Sequence, residues 1–254
     1  MDGSNARELA DGEWPAWSPD GRRIAFHYAG QVWVMNADGT DKVSLVRGGH
    51  PAWSPDGAAI AFSNDAGIAR MNADGSNVTL VVRHNHADVP NVTQTPLVTK
   101  PSWSADGKRI AFEDIGIDEH PAQIYVVNAD GSNITRLNSP MGGSAIYAES
   151  DPAWSPDGGS IAHWSYGWGI AVVNVGTRAS TTLHHDFPAI AYGAKPSWAP
   201  DGTSLTFSVG RFGAGGPELW VINSNGSGRK LLLSNAYDGT WSPDGRSIAF
   251  VRGR

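Results

Sequence analysis

Residues 51–62 read Pro-Ala-Trp-Ser-Pro-Asp-Gly-Ala-Ala-Ile-Ala-Phe, and residues 67–75 continue Gly-Ile-Ala-Arg-Met-Asn-Ala-Asp-Gly. The first string decides the fold because it recurs. A tryptophan followed by Ser-Pro-Asp-Gly, or a close variant, stands at Trp17, Trp53, Trp103, Trp154, Trp198 and Trp241, at spacings of 36 to 51 residues. A fixed motif at variable spacing marks a structural repeat that tolerates loop insertions.

Each motif is followed by a short apolar run: Ile24-Ala25-Phe26, Ile60-Ala61-Phe62, Ile110-Ala111-Phe112, Ile161-Ala162-His163, Leu205-Thr206-Phe207 and Ile248-Ala249-Phe250. Runs of this length bounded by turn residues predict strands. The second string, Asn-Ala-Asp-Gly, begins at Asn36, Asn72 and Asn128 and has weaker forms at Asn174 and Asn223. In both strings proline or asparagine opens a turn, aspartate follows, and glycine takes the left-handed position. Each string therefore predicts a hairpin turn, and one repeat predicts four short strands, A to D. The motif tryptophans and aspartates are assigned to packing and turns, because a functional site repeated six times would be unusual.

Four-stranded units repeated radially predict a β-propeller. The pattern resembles the PD40 (WD40-like) repeat of TolB-type propellers over essentially the whole chain, with departures at Ala105, Ala199 and Val175-Gly176. The fold expectation is all-β: a six-bladed β-propeller of four-stranded antiparallel blades, forming one domain over residues 1–254. The resemblance further implies a central channel, a divalent cation such as calcium in that channel, and an extracytoplasmic location, periplasmic or secreted. It also implies use as a scaffold or as the propeller part of larger peptidases.

Ring closure is expected to be unusual. Residues 1–5 match the end of a C-to-D turn, and Ala6-Arg7-Glu8-Leu9 takes the strand D place that Ile134-Thr135-Arg136-Leu137 takes in the third repeat. The sixth repeat reaches Arg254 before any strand C. The last blade is thus expected to be closed by the N-terminal strand and to lack one strand: either the sequence is cut from a longer protein, or the blade keeps a slot open to strand donation from another chain.

Composition narrows the function classes. The 254 residues carry a net charge of −6, with 31 glycines, 16 prolines, 11 tryptophans and no cysteine. Without a thiol there is no disulfide framework, zinc-cysteine cluster or cysteine nucleophile. No Lys/Arg run provides the basic stripe that a nucleic-acid partner requires. The longest apolar runs are strand-sized, so no membrane span is expected, and the N-terminus shows no signal-peptide pattern. No G-x-S-x-G, H-E-x-x-H or phosphate-loop string occurs.

In antiparallel blades the A-to-B and C-to-D turns share one face, while the B-to-C and D-to-A connections, which carry every insertion, share the other. Binding residues concentrate on loops held by a rigid scaffold, so the loop-rich face is the expected binding surface. There His84, His86 and Asp88 form an H-x-H-x-D string suited to zinc or manganese. His120, His184 and His185 lie in sister loops. Tyr147, Tyr166, Trp168, Tyr192, Phe212 and Tyr237 offer flat faces for an extended peptide or a sugar. Carboxylate pairs such as Glu149 with Asp151 would serve as acid and base if they converge. The leading expectation is a non-catalytic module that binds a protein segment or extended ligand on this face and at the channel mouth. The alternative is a carbohydrate-active lyase or hydrolase with a metal or carboxylate site in the same loops.

Overall fold

The computed structural model describes residues 5–84, 97–115, 122–137, 149–165, 169–184, 195–210 and 216–253. Every regular element among them is a strand. The first repeat forms β1 (Glu13–Trp17), β2 (Arg23–Tyr28), β3 (Gln31–Asn36) and β4 (Val43–Arg47), and the second forms β5 (Gly49–Trp53), β6 (Ala59–Asn64), β7 (Gly67–Asn72) and β8 (Thr79–Arg83). The third comprises β9 (Leu97–Trp103), β10 (Arg109–Ile115), β11 (Gln123–Asn128) and β12 (Thr135–Arg136), and the fourth β13 (Glu149–Trp154), β14 (Ser160–Ser165), β15 (Gly169–Asn174) and β16 (Ser180–His184). The fifth comprises β17 (Ser197–Trp198), β18 (Ser204–Val209), β19 (Glu218–Asn223) and β20 (Lys230–Ser234). Each of these five is a four-stranded antiparallel meander. The last repeat forms only β21 (Ala236–Trp241) and β22 (Ile248–Arg252), a two-stranded sheet. Among the described residues the propeller therefore has five complete blades, not the six that the repeat count predicts.

The hairpin chemistry is the same from blade to blade. Ser104 Oγ donates to Asp106 Oδ1 at 2.6 Å and accepts the Arg109 N–H at 2.9 Å, while Gly107 N–H closes the turn on Ser104 O. Ser18 with Asp20, Ser54 with Asp56, Ser155 with Asp157 and Ser242 with Asp244 repeat the hydroxyl-to-carboxylate bond. The motif aspartates thus act as turn acceptors. Ser104→Ala is expected to cost about 1–2 kcal/mol by urea denaturation, because it strips the half-buried Arg109 N–H of its acceptor and removes the bond to Asp106.

The core lies between blades. Trp53 of blade two packs with Val32 and Val34 of blade one, and Trp154 of blade four with Ile124 and Leu137 of the third repeat. Arg23 and Arg109 stack over these two indoles at 4.6 and 4.8 Å. The A-to-B turns also touch in sequence: Gly57 lies against Pro19, Gly107 against Pro55, Gly245 against Pro200, and Gly21 against Pro243. The last of these contacts joins the sixth repeat to the first, so the ring is closed although its last sheet is short.

The N-terminal closure departs from expectation. Residues 6–10 form no strand and pair with neither β22 nor any other strand. They do occupy the strand D place. In four of the five complete blades the C-to-D turn glycine rests on the strand D place before it: Gly75 on Leu45, Gly131 on Val81, Gly226 on Leu183, and Gly39 of blade one on Leu9. Segment 6–10 is positioned by the packing of Leu9 and by a hydrogen bond from Arg7 Nη2 to Ala37 O at 3.4 Å, with no strand pairing among the described residues.

Candidate functional site

The six innermost strands, β1, β5, β9, β13, β17 and β21, lie side by side around the axis, with β21 against β1. Three residues before each motif tryptophan stands one position with an uncommon backbone: Trp14, His50, Lys100, Asp151, Lys195 and Asp238, with φ of 52°, 50°, 53°, 56°, 28° and 54°. None is glycine, and left-handed φ in other residues costs of order 1–3 kcal/mol each. In five of the six sheets the strand register slips at this point, as in a bulge. A bulge re-aims a side chain, and here it assembles one residue per repeat into a ring. The inner strands enter from the loop-rich face, so the ring lies at the channel mouth on that face.

The ring members touch one another across blades. Trp14 stacks on His50 with ring centroids 3.6 Å apart. His50 Nδ1 lies 2.9 Å from Ser63 Oγ and 3.0 Å from Thr99 Oγ1. Burial, then the nearby Lys100 and Lys195 ammoniums, pull the His50 pKa down to about 3, so His50 is neutral at pH 7. Lys100 Nζ sits 3.0 Å from Glu113 Oε2 and 3.0 Å from Asp151 Oδ1. Burial opposes its charge, but Asp151 and Glu113 outweigh that and hold its pKa above the ordinary value. Glu113 also accepts the Asp151 N–H. Burial raises the Glu113 pKa, with Lys100 pulling against it.

The opposite side of the ring is less closed. Lys195 Nζ donates to Pro15 O of the first blade at 3.3 Å, and burial lowers its pKa against the pull of Asp238. Asp238 is 8% exposed, and its N–H is held by Ser208 Oγ at 2.8 Å. Burial raises its pKa, and Lys195 only partly offsets this. Among the described residues no ion pair within contact distance joins Lys195 to Asp238. This half of the mouth therefore presents an ammonium donor and a carboxyl group side by side with hydrogen-bonding capacity left over.

Of the residues singled out from sequence, His84 is fully engaged: Nε2 donates to Asn64 O at 2.9 Å and Nδ1 accepts the Val98 N–H at 3.1 Å. Binding a metal through either nitrogen would break one of these bonds. His184 ends β16, where it pairs with Ile170. Tyr237 lies on β21 beside a cleft next to β22, and burial raises its pKa. His86, Asp88, His120, Tyr147, Tyr166, Trp168, His185, Tyr192 and Phe212 lie outside the described residues. Asp151 faces Lys100 and Glu113, which takes it out of the acid–base pairing with Glu149. Among the described residues no group of three or more His, Asp or Glu could hold a metal. The channel calcium implied by the family resemblance does not fit this ring, since Lys100 already stands between its two nearest carboxylates. Sequence reading missed Lys100, Lys195, Asp238 and Glu113 as site residues. The available signal was the alignment itself: the position three before each tryptophan is charged in four of six repeats.

No family profile matches the chain. It is 30% identical over 155 residues to the uncharacterized peptidase YuxL of Bacillus subtilis, covering 60% of this chain and 21% of that protein. It is 28% identical over 206 residues to an uncharacterized protein of Agrobacterium fabrum, covering 63% and 68%. With the Tol-Pal system protein TolB of Alcanivorax borkumensis it shares 30% identity over 100 residues, 38% of this chain and 21% of that one. The chain thus spans about a fifth of the length of the first and third of these relatives. Among solved structures, a provisional TolB from Agrobacterium tumefaciens superposes with a TM-score of 0.74 at 22% identity, covering 94% of this chain and 89% of that one. TolB of Acinetobacter baumannii gives 0.64 at 20% identity, covering 85% and 52%. An oligogalacturonate lyase from Vibrio parahaemolyticus is more distant, at 0.57 and 13%, covering 94% and 86%.

Proposed function

We propose that this TolB-like β-propeller is a non-catalytic binding module that takes an extended protein segment at its channel mouth and the surrounding loops. One observation carries the reading: Lys195 and Asp238 stand together at the mouth without closing on each other, whereas Lys100 is saturated by Glu113 and Asp151. A peptide backbone offers the complement, a carbonyl for the ammonium and an N–H for the carboxyl group. The likeness to TolB proteins supports a binding or scaffold role and a location outside the cytoplasm. The distant likeness to oligogalacturonate lyases does not favour the enzymatic alternative, and no group of three metal-ligating side chains stands among the described residues.

Panning a displayed random-peptide library on the protein, then measuring the enriched peptides by calorimetry on Lys195→Met and Asp238→Asn variants, tests this. Each substitution is expected to weaken binding about tenfold or more, the effect of losing one hydrogen bond to a charged group. Affinity unchanged from wild type in both variants would overturn the assignment of the site. Turnover of oligogalacturonate with added manganese would overturn the non-catalytic reading.

A further inference from the structure

The ring contains the same pair of neighbours twice. Lys100 of the third repeat precedes Asp151 of the fourth, and Lys195 of the fifth precedes Asp238 of the sixth. The first pair is closed at 3.0 Å. The second is open, because Lys195 reaches on to Pro15 O of β1. Asp238 is only 8% exposed, and among the described residues its carboxyl group has neither a hydrogen-bond donor nor an ion pair. Leaving a buried carboxylate without a partner is costly, and such groups are ordinarily paired. The backbone nonetheless fixes this one in place: its φ is 54°, the ladder between β21 and β22 slips between Tyr237 and Thr240, and Ser208 Oγ accepts its N–H at 2.8 Å. The bulge aims the carboxyl group into the mouth and leaves it unanswered there.

Its surroundings do not supply the missing charge. Because β21 lies against β1, Glu13 comes near enough to Tyr237 and Asp238 for its charge to act on both. The Glu13 side chain is half-exposed, with Oε2 3.8 Å from His27 Nδ1. Around the ring Glu13, Glu113, Asp151 and Asp238 stand against the ammoniums of Lys100 and Lys195, while His50 is neutral. The mouth is therefore short of positive charge. Lys100 sits with Glu113 and Asp151, so the shortfall falls where β21 meets β1. Trp14 and Tyr237, the chain neighbours of Glu13 and Asp238, add aromatic rings to that corner, and aromatic faces attract cations.

We infer that this corner of the mouth is a cation pocket, which takes one positively charged nitrogen of the bound segment, its amino terminus or a basic side chain, on the carboxyl groups of Asp238 and Glu13. The inference rests on the peptide-binding reading above and deepens it by naming what the segment carries. A nitrogen cation suits the corner better than a metal ion, since among the described residues no group of three or more His, Asp or Glu could hold a metal. Two carboxyl groups and two aromatic rings are enough for an ammonium, whose N–H groups form charge-assisted hydrogen bonds to carboxylates. Lys195, with donors to spare beyond Pro15 O, then takes a backbone carbonyl of the same segment. The two half-sites fix its direction as well as its charge.

The first probe is n-butylammonium, with n-butanol as its uncharged counterpart, titrated into the isotope-labelled full chain and read by amide chemical shifts. The ammonium should shift the signals of residues 13–14 and 237–239 saturably, and the alcohol should not. Asp238→Asn should weaken the ammonium about tenfold or more, the effect of losing a hydrogen bond between charged groups, and so should Glu13→Gln, whose half-exposed side chain makes it the safer variant for folding. The second probe is a peptide enriched by panning. Acetylating its amino terminus, or replacing its basic residue by norleucine, should weaken it by a similar factor, and whichever change does so names the source of the cation. If neither change matters and the ammonium gives no saturable shift, the pocket is overturned while the peptide-binding reading stands. If the ammonium binds as expected but no peptide is enriched, the reading falls and with it the segment as occupant. Calcium producing the same shifts at lower concentration than the ammonium would assign the corner to a metal and overturn the inference.

Discussion

Lys100→Met is expected to destabilise the propeller by about 3–5 kcal/mol at neutral pH, the usual cost of removing one partner from a buried ion pair. Glu113 and Asp151 are 5% and 8% exposed, and each lies 3.0 Å from the ammonium that would be lost. Without it two carboxylates face each other at the junction of the third and fourth blades. The pH dependence follows from the raised Glu113 pKa, which the substitution raises further by removing Lys100. A carboxyl group with a folded-state pKa above its unfolded value stabilises fully below the unfolded value and loses that contribution as pH rises through the folded one. The variant should therefore be least impaired near pH 4 and most impaired at pH 7 and above. Urea denaturation across that range reads the effect, and adding Glu113→Gln should restore much of the loss at pH 7. A loss that is the same at all pH values would mean that Lys100 contributes packing and not charge compensation.

The contrast between the two halves of the ring explains how much of the site the sequence could show. The strands and hairpins were legible because their signals are local: Ser104, Asp106 and Gly107 make one turn from adjacent residues, and Ile110-Ala111-Phe112 reads as a buried strand wherever it occurs. The ring depends on contacts from repeat to repeat. Lys100 meets Asp151 across 51 positions, and Lys195 meets Pro15 across 180, so neither pairing has a local signature. A lysine before proline looks like an ordinary loop residue until the six repeats are aligned on their tryptophans. The short last sheet was legible as a missing strand C, because the repeat template specifies four strands. What the template could not show is that segment 6–10 remains unpaired. Its docking rests on Leu9 packing and on the Arg7 bond to Ala37 O, contacts with blade one that leave no strand signature in the sequence.

His163→Phe is expected to stabilise the fold at pH 7 and to make it markedly more resistant to acid. His163 sits where the other repeats place Phe26, Phe62, Phe112, Phe207 and Phe250, and it is 1% exposed in blade four. Its Nδ1 lies 3.3 Å from Trp164 O, and its Nε2 is buried without a hydrogen-bond partner. Replacing it removes a buried orphan polar atom worth about 1–3 kcal/mol. Part of that gain is offset if the larger ring crowds the layer, although four sister positions already bury phenylalanine. Burial pulls the His163 pKa down to about 4. The unfolded chain therefore binds a proton near pH 6.5 that the folded chain refuses until about pH 4. Over that window wild-type stability falls with pH by up to about 1.4 kcal/mol per unit from this group, about 3 kcal/mol in all. His50, pulled down to about 3, adds a second contribution of the same sign in both proteins, while Glu113 and Asp238, whose pKa values are raised, act in the opposite sense in both. The quantity to read is thus the difference between variant and wild type in urea titrations from pH 7 to pH 4. That difference should widen steadily as pH falls. A constant difference would show that His163 titrates normally in the fold, and hence that water reaches the interior of blade four.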